Sequence, residues 1–331
     1  MHDRLYQASV CDTDGTSVVL QKEMKYCDLH CDALTTEGVL QVTPSSLKKG
    51  DCLLQCFAIF PGRRENAWEF VRKHAERFSS YCKENGYVPV TRASGVKETQ
   101  INALLTVEDA GAIEGDLQKL DALYALGVRM ITLTWNYPNQ LGFPNFPDYE
   151  GLLCGKGRLQ ARENALGLTK FGREAVARMN QLGVIIDVSH GSDALVRDVA
   201  KESKKPFVAS HSGIRRAFDC SRNLTDEGVR LIAESGGVIG LDFCADFLSF
   251  NQTAEGQKEA MLYHAKELIR VGGEDVLSIG SDFDGIPVNP YLKNPSYLPA
   301  FFEELCRVFS VSVAEKIAYQ NFLRVFQDVC G

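Results

Sequence analysis

None of the 11 cysteines forms a Cys-x-x-Cys pair, so zinc-finger and dithiol-redox readings have no support. Their odd number, with no basic-then-apolar leader at the N-terminus, points to reduced thiols rather than a disulfide framework. Cys27 and Cys31, and Cys52 and Cys56, lie four apart inside strand-like runs and read as small buried side chains. The run Phe322-Leu323-Arg324-Val325-Phe326-Gln327-Asp328-Val329 is too short and too charged for a membrane tail or a lipid-anchor signal. A net charge of −7 argues against a broad nucleic-acid surface. These absences lead us to expect a cytoplasmic protein with neither nucleic acid nor membrane as partner. No Gly-x-Gly-x-x-Gly follows any strand-like run, so the phosphate fingerprint of an open doubly wound sheet is missing. There are no repeats, low-complexity runs or domain linkers. Histidine is scarce, at six in 331 residues, which makes the positions of those six informative.

What is present is an alternation of strand-like and helix-like segments, as in βα units. The first strand candidate is 24–32. The others are 52–59, 101–107, 128–134, 184–188, 206–210, 238–243 and 276–281. Between them, apolar residues recur at three-four spacing, the mark of one helical stripe. Trp68, Val71, Ala75, Phe78 and Cys82 make one such stripe, and Leu117, Leu120 and Tyr124 another. Phe171, Ala175, Met179 and Leu182 form a third behind an N-cap at Thr169. Met261, Ala265, Leu268 and Ile269 form a fourth, and Ser192 and Thr225 read as further caps. Eight alternating pairs predict a (β/α)8 TIM barrel. We expect a lead-in at 1–23 with a hairpin turn at Asp12-Thr13-Asp14-Gly15, a barrel core at 24–289 and a C-terminal helical extension at 290–331. A Pro- and Gly-rich loop covers 136–165.

In such barrels the chemistry lies at the C-terminal ends of the strands. Strand one offers His30 and Asp32, two apart and therefore on one side of an extended backbone. Strand three offers Glu108, strand five His190, strand six His211 and strand eight Asp282. Three of the six histidines thus fall at strand ends. His74 and His264 sit on helix-like segments and read as surface or packing residues. Three imidazoles with two carboxylates suit a centre of two divalent ions, which lowers the pKa of a shared water and polarises a carbonyl or phosphoryl oxygen. Asp282 is placed to accept and return that water's proton.

At these residues the chain resembles the membrane (renal) dipeptidase family, zinc enzymes on an amidohydrolase-type barrel. The resemblance runs from Asp28 to Val325. It is carried by Asp28-Leu29-His30-Cys31-Asp32, Val107-Glu108, Leu133-Thr134 and Gly167-Leu168-Thr169-Lys170-Phe171-Gly172. It continues through Asp187-Val188-Ser189-His190, Ser210-His211-Ser212, Ser221-Arg222-Asn223, Asp282-Phe283-Asp284-Gly285 and Asn321-Phe322-Leu323-Arg324-Val325. It implies two zinc ions, one on His30, Asp32 and Glu108, the other on Glu108, His190 and His211, with Glu108 bridging. It gives Arg222 the substrate's free carboxylate, which a guanidinium meets with two parallel hydrogen bonds. It gives Asp282 the proton of the bridging water and a contact to the dipeptide's amine. It also implies a homodimer.

One departure stands out. Where animal members carry a histidine after the Leu-Thr of strand four, thought to bind the substrate carbonyl, this chain has Trp135 followed by Asn136. Indole has one donor and carries no proton. Trp135 and Asn136 are therefore candidate substrate-binding residues of altered chemistry. The expected activity is metal-dependent hydrolysis of dipeptides. The alternatives are another amide, lactone or phosphoester hydrolase on the same barrel, other divalent metals in place of zinc, and a non-catalytic binding protein that kept the fold.

Overall fold

The computed structural model describes residues 24–331; the lead-in and its expected hairpin turn lie outside them. Within these residues nine strands run in chain order: β1 Tyr26–Asp28, β2 Cys52–Ile59, β3 Val88–Val90, β4 Asn102–Val107 and β5 Val128–Thr132, then β6 Ile185–Asp187, β7 Phe207–Ser212, β8 Ile239–Leu241 and β9 Leu277–Ile279. All pairings are parallel. β2 pairs directly with β4, and β9 returns to β1 through Asp28 and Ile279. Eight strands therefore close the predicted TIM barrel. All eight residues of β2 and all six of β4 are buried, as expected for strands covered on both faces.

β3 was not anticipated. It pairs with Asn102–Leu104 of β4 while β5 takes Leu105–Val107, so β4 changes neighbours halfway along its length. Its sequence, Val88-Pro89-Val90, is short and carries a proline, which suits an edge position.

The helices follow the apolar stripes. Ala67–Asn85 buries Val71, Ala75, Phe78 and Cys82. Lys170–Leu182 begins where Thr169 accepts a hydrogen bond from the Gly172 amide. Ser192 and Thr225 cap the helices Asp193–Glu202 and Asp226–Glu234 in the same way. The stretch 136–165 is not all loop: Tyr149–Leu153 is a short helix capped by Asp148. Gly172 seats this stretch on the barrel, because a Cβ there would meet the Leu141 carbonyl oxygen at 2.0 Å.

At the opposite end of the barrel, helix Asn321–Cys330 presses Phe322, Val325, Phe326 and Val329 against Leu53, Met130, Ile185 and Val208. Asn321 holds it there through hydrogen bonds to the Glu274 and Leu277 carbonyls, at 2.9 and 2.8 Å. With that end plugged, the cleft opens at the other. Cys27, Cys52 and Cys56 in the strands and Cys31 just beyond β1 are buried free thiols. His264 packs inside, its Nδ1 accepting from the Ile214 amide at 3.2 Å. No helix among the described residues is long and apolar enough to cross a membrane.

Candidate active site

Five side chains converge at the C-terminal mouth of the barrel. β1 ends at Asp28, so His30 and Asp32 lie just beyond the strand and not within it, as the sequence had suggested. Their backbone stays extended, because Leu29 donates to Ile279 and Asp32 donates to Phe283, both at 2.9 Å. Glu108 follows β4, His190 follows β6, and His211 lies within β7. All five are at least nine-tenths buried.

The two oxygens of Glu108 face different partners. Oε2 lies 3.7 Å from His30 Nε2, which is in turn 3.4 Å from Asp32 Oδ2. Oε1 lies 3.0 Å from His190 Nε2 and 3.5 Å from His211 Nε2. Ligands on a tetrahedral ion with bonds of about 2.0–2.1 Å sit roughly 3.3–3.4 Å apart. The His30–Asp32 and His211–Glu108 separations match that spacing, and the ligand atoms of His30, Glu108 and His211 all lie within 4.8 Å of one another, as do those of His30, Asp32 and Asp282.

Hydrogen bonds behind the histidines set their tautomers. His190 Nδ1 faces the Asn136 amide oxygen at 2.7 Å, which accepts only, so the ring donates there and keeps a lone pair on Nε2. His211 Nδ1 faces Ser210 Oγ at 2.8 Å. The single Ser210 hydroxyl hydrogen goes to Asp187 Oδ2 at 2.6 Å, so His211 also donates from Nδ1. The two Nε2 lone pairs therefore point at each other across 2.9 Å and at a carboxylate. Such an arrangement fits a cation between them. His30 Nε2 and Asp32 Oδ1 are buried without a hydrogen-bond partner. The donor set thus fits a metal, and its nitrogen and oxygen chemistry suits zinc and its divalent neighbours.

The electrostatics agree. Burial alone would lower the His30 imidazole, but Glu108, Asp32 and Asp282 hold it well above the usual histidine range. Burial raises Glu108 to about 8 against the pull of His30, and raises Asp282 well above an ordinary aspartate. Burial, with Arg222 and His30 nearby, keeps His190 and His211 neutral, the form that binds a metal. Carboxylates crowded in a dry site favour a proton or another cation.

Asp282 Oδ1 lies 3.8 Å from His30 Nε2. Asp282 and His190 sit at φ +58° and +66°, left-handed backbone that costs a non-glycine residue energy and clusters at functional sites. Arg222 is buried beside His190, its Nη2 3.3 Å from His190 Nε2 and 3.3 Å from the His211 carbonyl. Its Nε and Nη1 have no partner. Trp135 is half-buried in the wall of a cleft of about 330 Å³ that reaches Asp32, Glu108, His190 and Asp282. Its ring lies 4.9 Å from Phe60, 5.2 Å from Tyr149 and 6.0 Å from His190. Asn136 stands behind His190, its oxygen occupied by that ring.

Sequence reasoning did not single out the residues that brace the ligands. Asp28 accepts from the Ser281 amide and hydroxyl and from Gln55. Asp187 accepts from the amides of Ser189 and Ser210 and the hydroxyls of Ser210 and Thr132. Each precedes a histidine ligand by two or three residues, the only signal the sequence offered. Asp242, beside Arg222, carried no signal.

Comparison with known proteins bears on this geometry. The profile of the membrane dipeptidase family, peptidase family M19, matches residues 11–330. An uncharacterised protein from the pqqA 5′ region of Klebsiella pneumoniae is 33% identical over 247 residues, covering 70% of this chain and 84% of its own. Human dipeptidase 3 is 32% identical over 243 residues, covering 72% of this chain. The match spans only 48% of the human protein's length, about half. Among solved structures, the M19 metallopeptidase named dipeptidase AC superposes with a TM-score of 0.82 at 26% identity, covering 94% of this chain and 100% of its own. A Rhodobacter sphaeroides metallopeptidase, liganded with a phosphinate mimic of the dipeptide L-Ala-D-Ala, gives 0.78 at 24% identity over 92% of this chain and 99% of its own, a likeness of fold. A match across nearly the whole chain, a closed barrel of the same shape and a carboxylate-histidine cluster at its mouth agree, and the chain belongs to the membrane dipeptidase family, peptidase family M19.

Proposed function

We propose that this chain hydrolyses dipeptides with two divalent ions, zinc by family resemblance, held on His30, Asp32 and Glu108 and on Glu108, His190 and His211. The observation that carries this reading is the division of the Glu108 oxygens, Oε2 toward His30 and Oε1 toward His190 and His211. When bound, the ions supply a water acidic enough to attack at neutral pH and polarise the scissile carbonyl.

The protein's own groups do the rest. Asp282 is held at the edge of the His30 side by its strained backbone and by its amide, which donates to the His30 carbonyl at 3.2 Å. From there its carboxylate takes the water's proton, passes it to the departing nitrogen and meets the substrate's ammonium group. Arg222 presents two buried, unpartnered donor atoms, which a free C-terminal carboxylate would satisfy at once. Together with the Asp282 contact to the free ammonium group, that requirement limits substrates to dipeptides. Asn136 keeps His190 in its ligand tautomer. Trp135 contributes a flat wall to the cleft, and its single N–H is the one polar group it can offer a substrate. By family resemblance the working form is a homodimer, and we place it in the cytoplasm.

The test is turnover on a dipeptide panel, with D- and L-residues at the C-terminal position, before and after chelation. Hydrolysis should vanish with chelator and return with zinc. Amidating the substrate's C-terminus should abolish most of kcat/KM for the wild type and change little for Arg222→Ala. Chelator-resistant turnover would sink the metal mechanism; equal cleavage of free and amidated dipeptides would sink the role of Arg222.

A further inference from the structure

Three buried polar atoms without partners lie together beside the metal-ligand cluster, on two side chains that face each other. They are Nε and Nη1 of Arg222 and Oδ2 of Asp242. The two residues are 3% and 1% exposed. Arg222 Nη2 stands 3.8 Å from Asp242 Oδ2, close enough to attract but too far for a hydrogen bond. Other contacts hold both in place. Asp242 Oδ1 accepts from the Cys244 amide at 2.6 Å, and the Asp242 amide donates to the Ser212 carbonyl at 3.2 Å. The Ser212 hydroxyl donates to the Arg222 carbonyl at 2.9 Å. The guanidinium carbon lies over the Phe247 ring, 5.5 Å from its centroid. The pair is thus braced slightly apart, with two donors and one acceptor unsatisfied in a dry site. That condition is costly unless a ligand completes it.

The missing ligand must bring two acceptors and one donor. A bare carboxylate supplies the acceptors but leaves Asp242 unpaired and adds a negative charge beside it. An amino-acid residue supplies both, since its carboxylate and its N–H are separated by a single carbon. We propose that Asp242 accepts a hydrogen bond from the N–H of the substrate's C-terminal residue, the scissile nitrogen, while Arg222 holds that residue's carboxylate. This rests on the dipeptidase reading above and adds a substrate requirement to it. Water adds its oxygen to the carbonyl carbon as the C–N bond breaks, and one water hydrogen ends on the nitrogen. The departing amine therefore still offers Asp242 a donor. Substrates whose C-terminal residue lacks the N–H, such as prolyl or N-methyl residues, leave Asp242 unpaired.

The experiment is a chemical double-mutant cycle on the zinc-loaded enzyme. The substrates are the preferred stereoisomer of alanyl-alanine and the matching alanyl-lactate ester, in which oxygen replaces the N–H. The enzymes are wild type, Asp242→Asn and Asp242→Leu, each checked for metal content and melting temperature. The amide-to-ester ratio of kcat/KM should fall about ten- to a hundredfold in Asp242→Leu, the range of a hydrogen bond to a charged group. In Asp242→Asn it should fall less, since the amide oxygen still accepts. If both substrates lose activity equally, Asp242 is only a counter-ion to Arg222 and the inference is overturned. If no form cleaves either substrate, the dipeptidase reading fails, and this inference with it.

Discussion

Gly285 offers the most direct test of the metal cluster, because a single added methyl group acts on two of its carboxylates. A Cβ built on Gly285 would meet Asp32 Oδ2 at 2.1 Å and Asp282 Oδ1 at 2.4 Å. Ordinary contact begins near 3.4 Å, so the two oxygens must retreat by about 1.3 and 1.0 Å. Neither backbone can follow, since the Asp32 amide is tied to Phe283 and the Asp282 amide to His30. The side chains must rotate, and Asp32 then leaves the position 3.4 Å from His30 Nε2 that completes one half of the cluster. Gly285 is not in the left-handed region, so Gly285→Ala imposes no backbone strain of its own. The damage should be local. A displacement of about 1 Å at reacting groups can cost roughly 10²-fold in rate, so kcat should fall at least that far. One of the two ions should bind more weakly by about ten- to a hundredfold. The melting temperature of the metal-free protein should stay near wild type. Chelator-competition titration with metal analysis separates the two ions. An alanine variant that keeps two tight ions and a wild-type kcat would refute the placement of Asp32 and Asp282 around the His30 side.

Glu108→Gln should weaken both metal sites, whereas His190→Ala should weaken mainly one, read as ions retained per chain after desalting. Asn136→Ala should act through His190, lowering affinity for one ion about tenfold without changing side-chain preference. Trp135→Phe keeps the wall but removes the donor, so a fall in kcat on every dipeptide marks the N–H, and a changed preference between small and bulky residues marks the ring. His264 predicts a pH effect on stability. Burial lowers it to about 4 in the fold, against about 6.5 in the unfolded chain. Between these values only the unfolded state takes the proton, so its contribution is present above pH 6.5 and is lost as pH falls toward 4. About 3 kcal/mol is at stake at the lower limit, and urea midpoints for wild type and His264→Gln should converge as pH drops across that range.

The parts of this molecule that were legible in its sequence are those fixed by periodicity and by local caps. The stripe from Val71 to Cys82 and the caps at Thr169, Ser192 and Thr225 depend on residues within a turn or two of each other, and each took its expected form. β3 was missed because three residues with a central proline have no period to read, and what makes them a strand is Asn102–Leu104 some dozen positions away. The helix Tyr149–Leu153 was missed for a similar reason. It is little more than a single turn with Gly151 inside it, and its Tyr149 ring is held by Trp135, Tyr137 and Phe146.

The site divides along the same line. Metal-binding side chains are chemically scarce, so three histidines at strand ends stand out from the sequence. The residues that aim them are common, and become visible only through contacts between strands that neighbour each other in the barrel but lie far apart in sequence. Asp28 reaches Ser281 on the far side of the chain, and Asp187 reaches Ser210 and Thr132 on the two neighbouring strands. Each carboxylate straps a ligand-bearing segment to its neighbour: Asp28 joins the His30 segment to that of Asp282, and Asp187 joins the His190 segment to that of His211. The two straps sit at related places on opposite halves of the cluster, and both carboxylates are buried and hydrogen-bonded by at least three donors. In the centre proposed above they would set the spacing between ligands before an ion binds. Asp242 belongs to the same class of residue, ordinary in sequence and informative only by what stands 3.8 Å away.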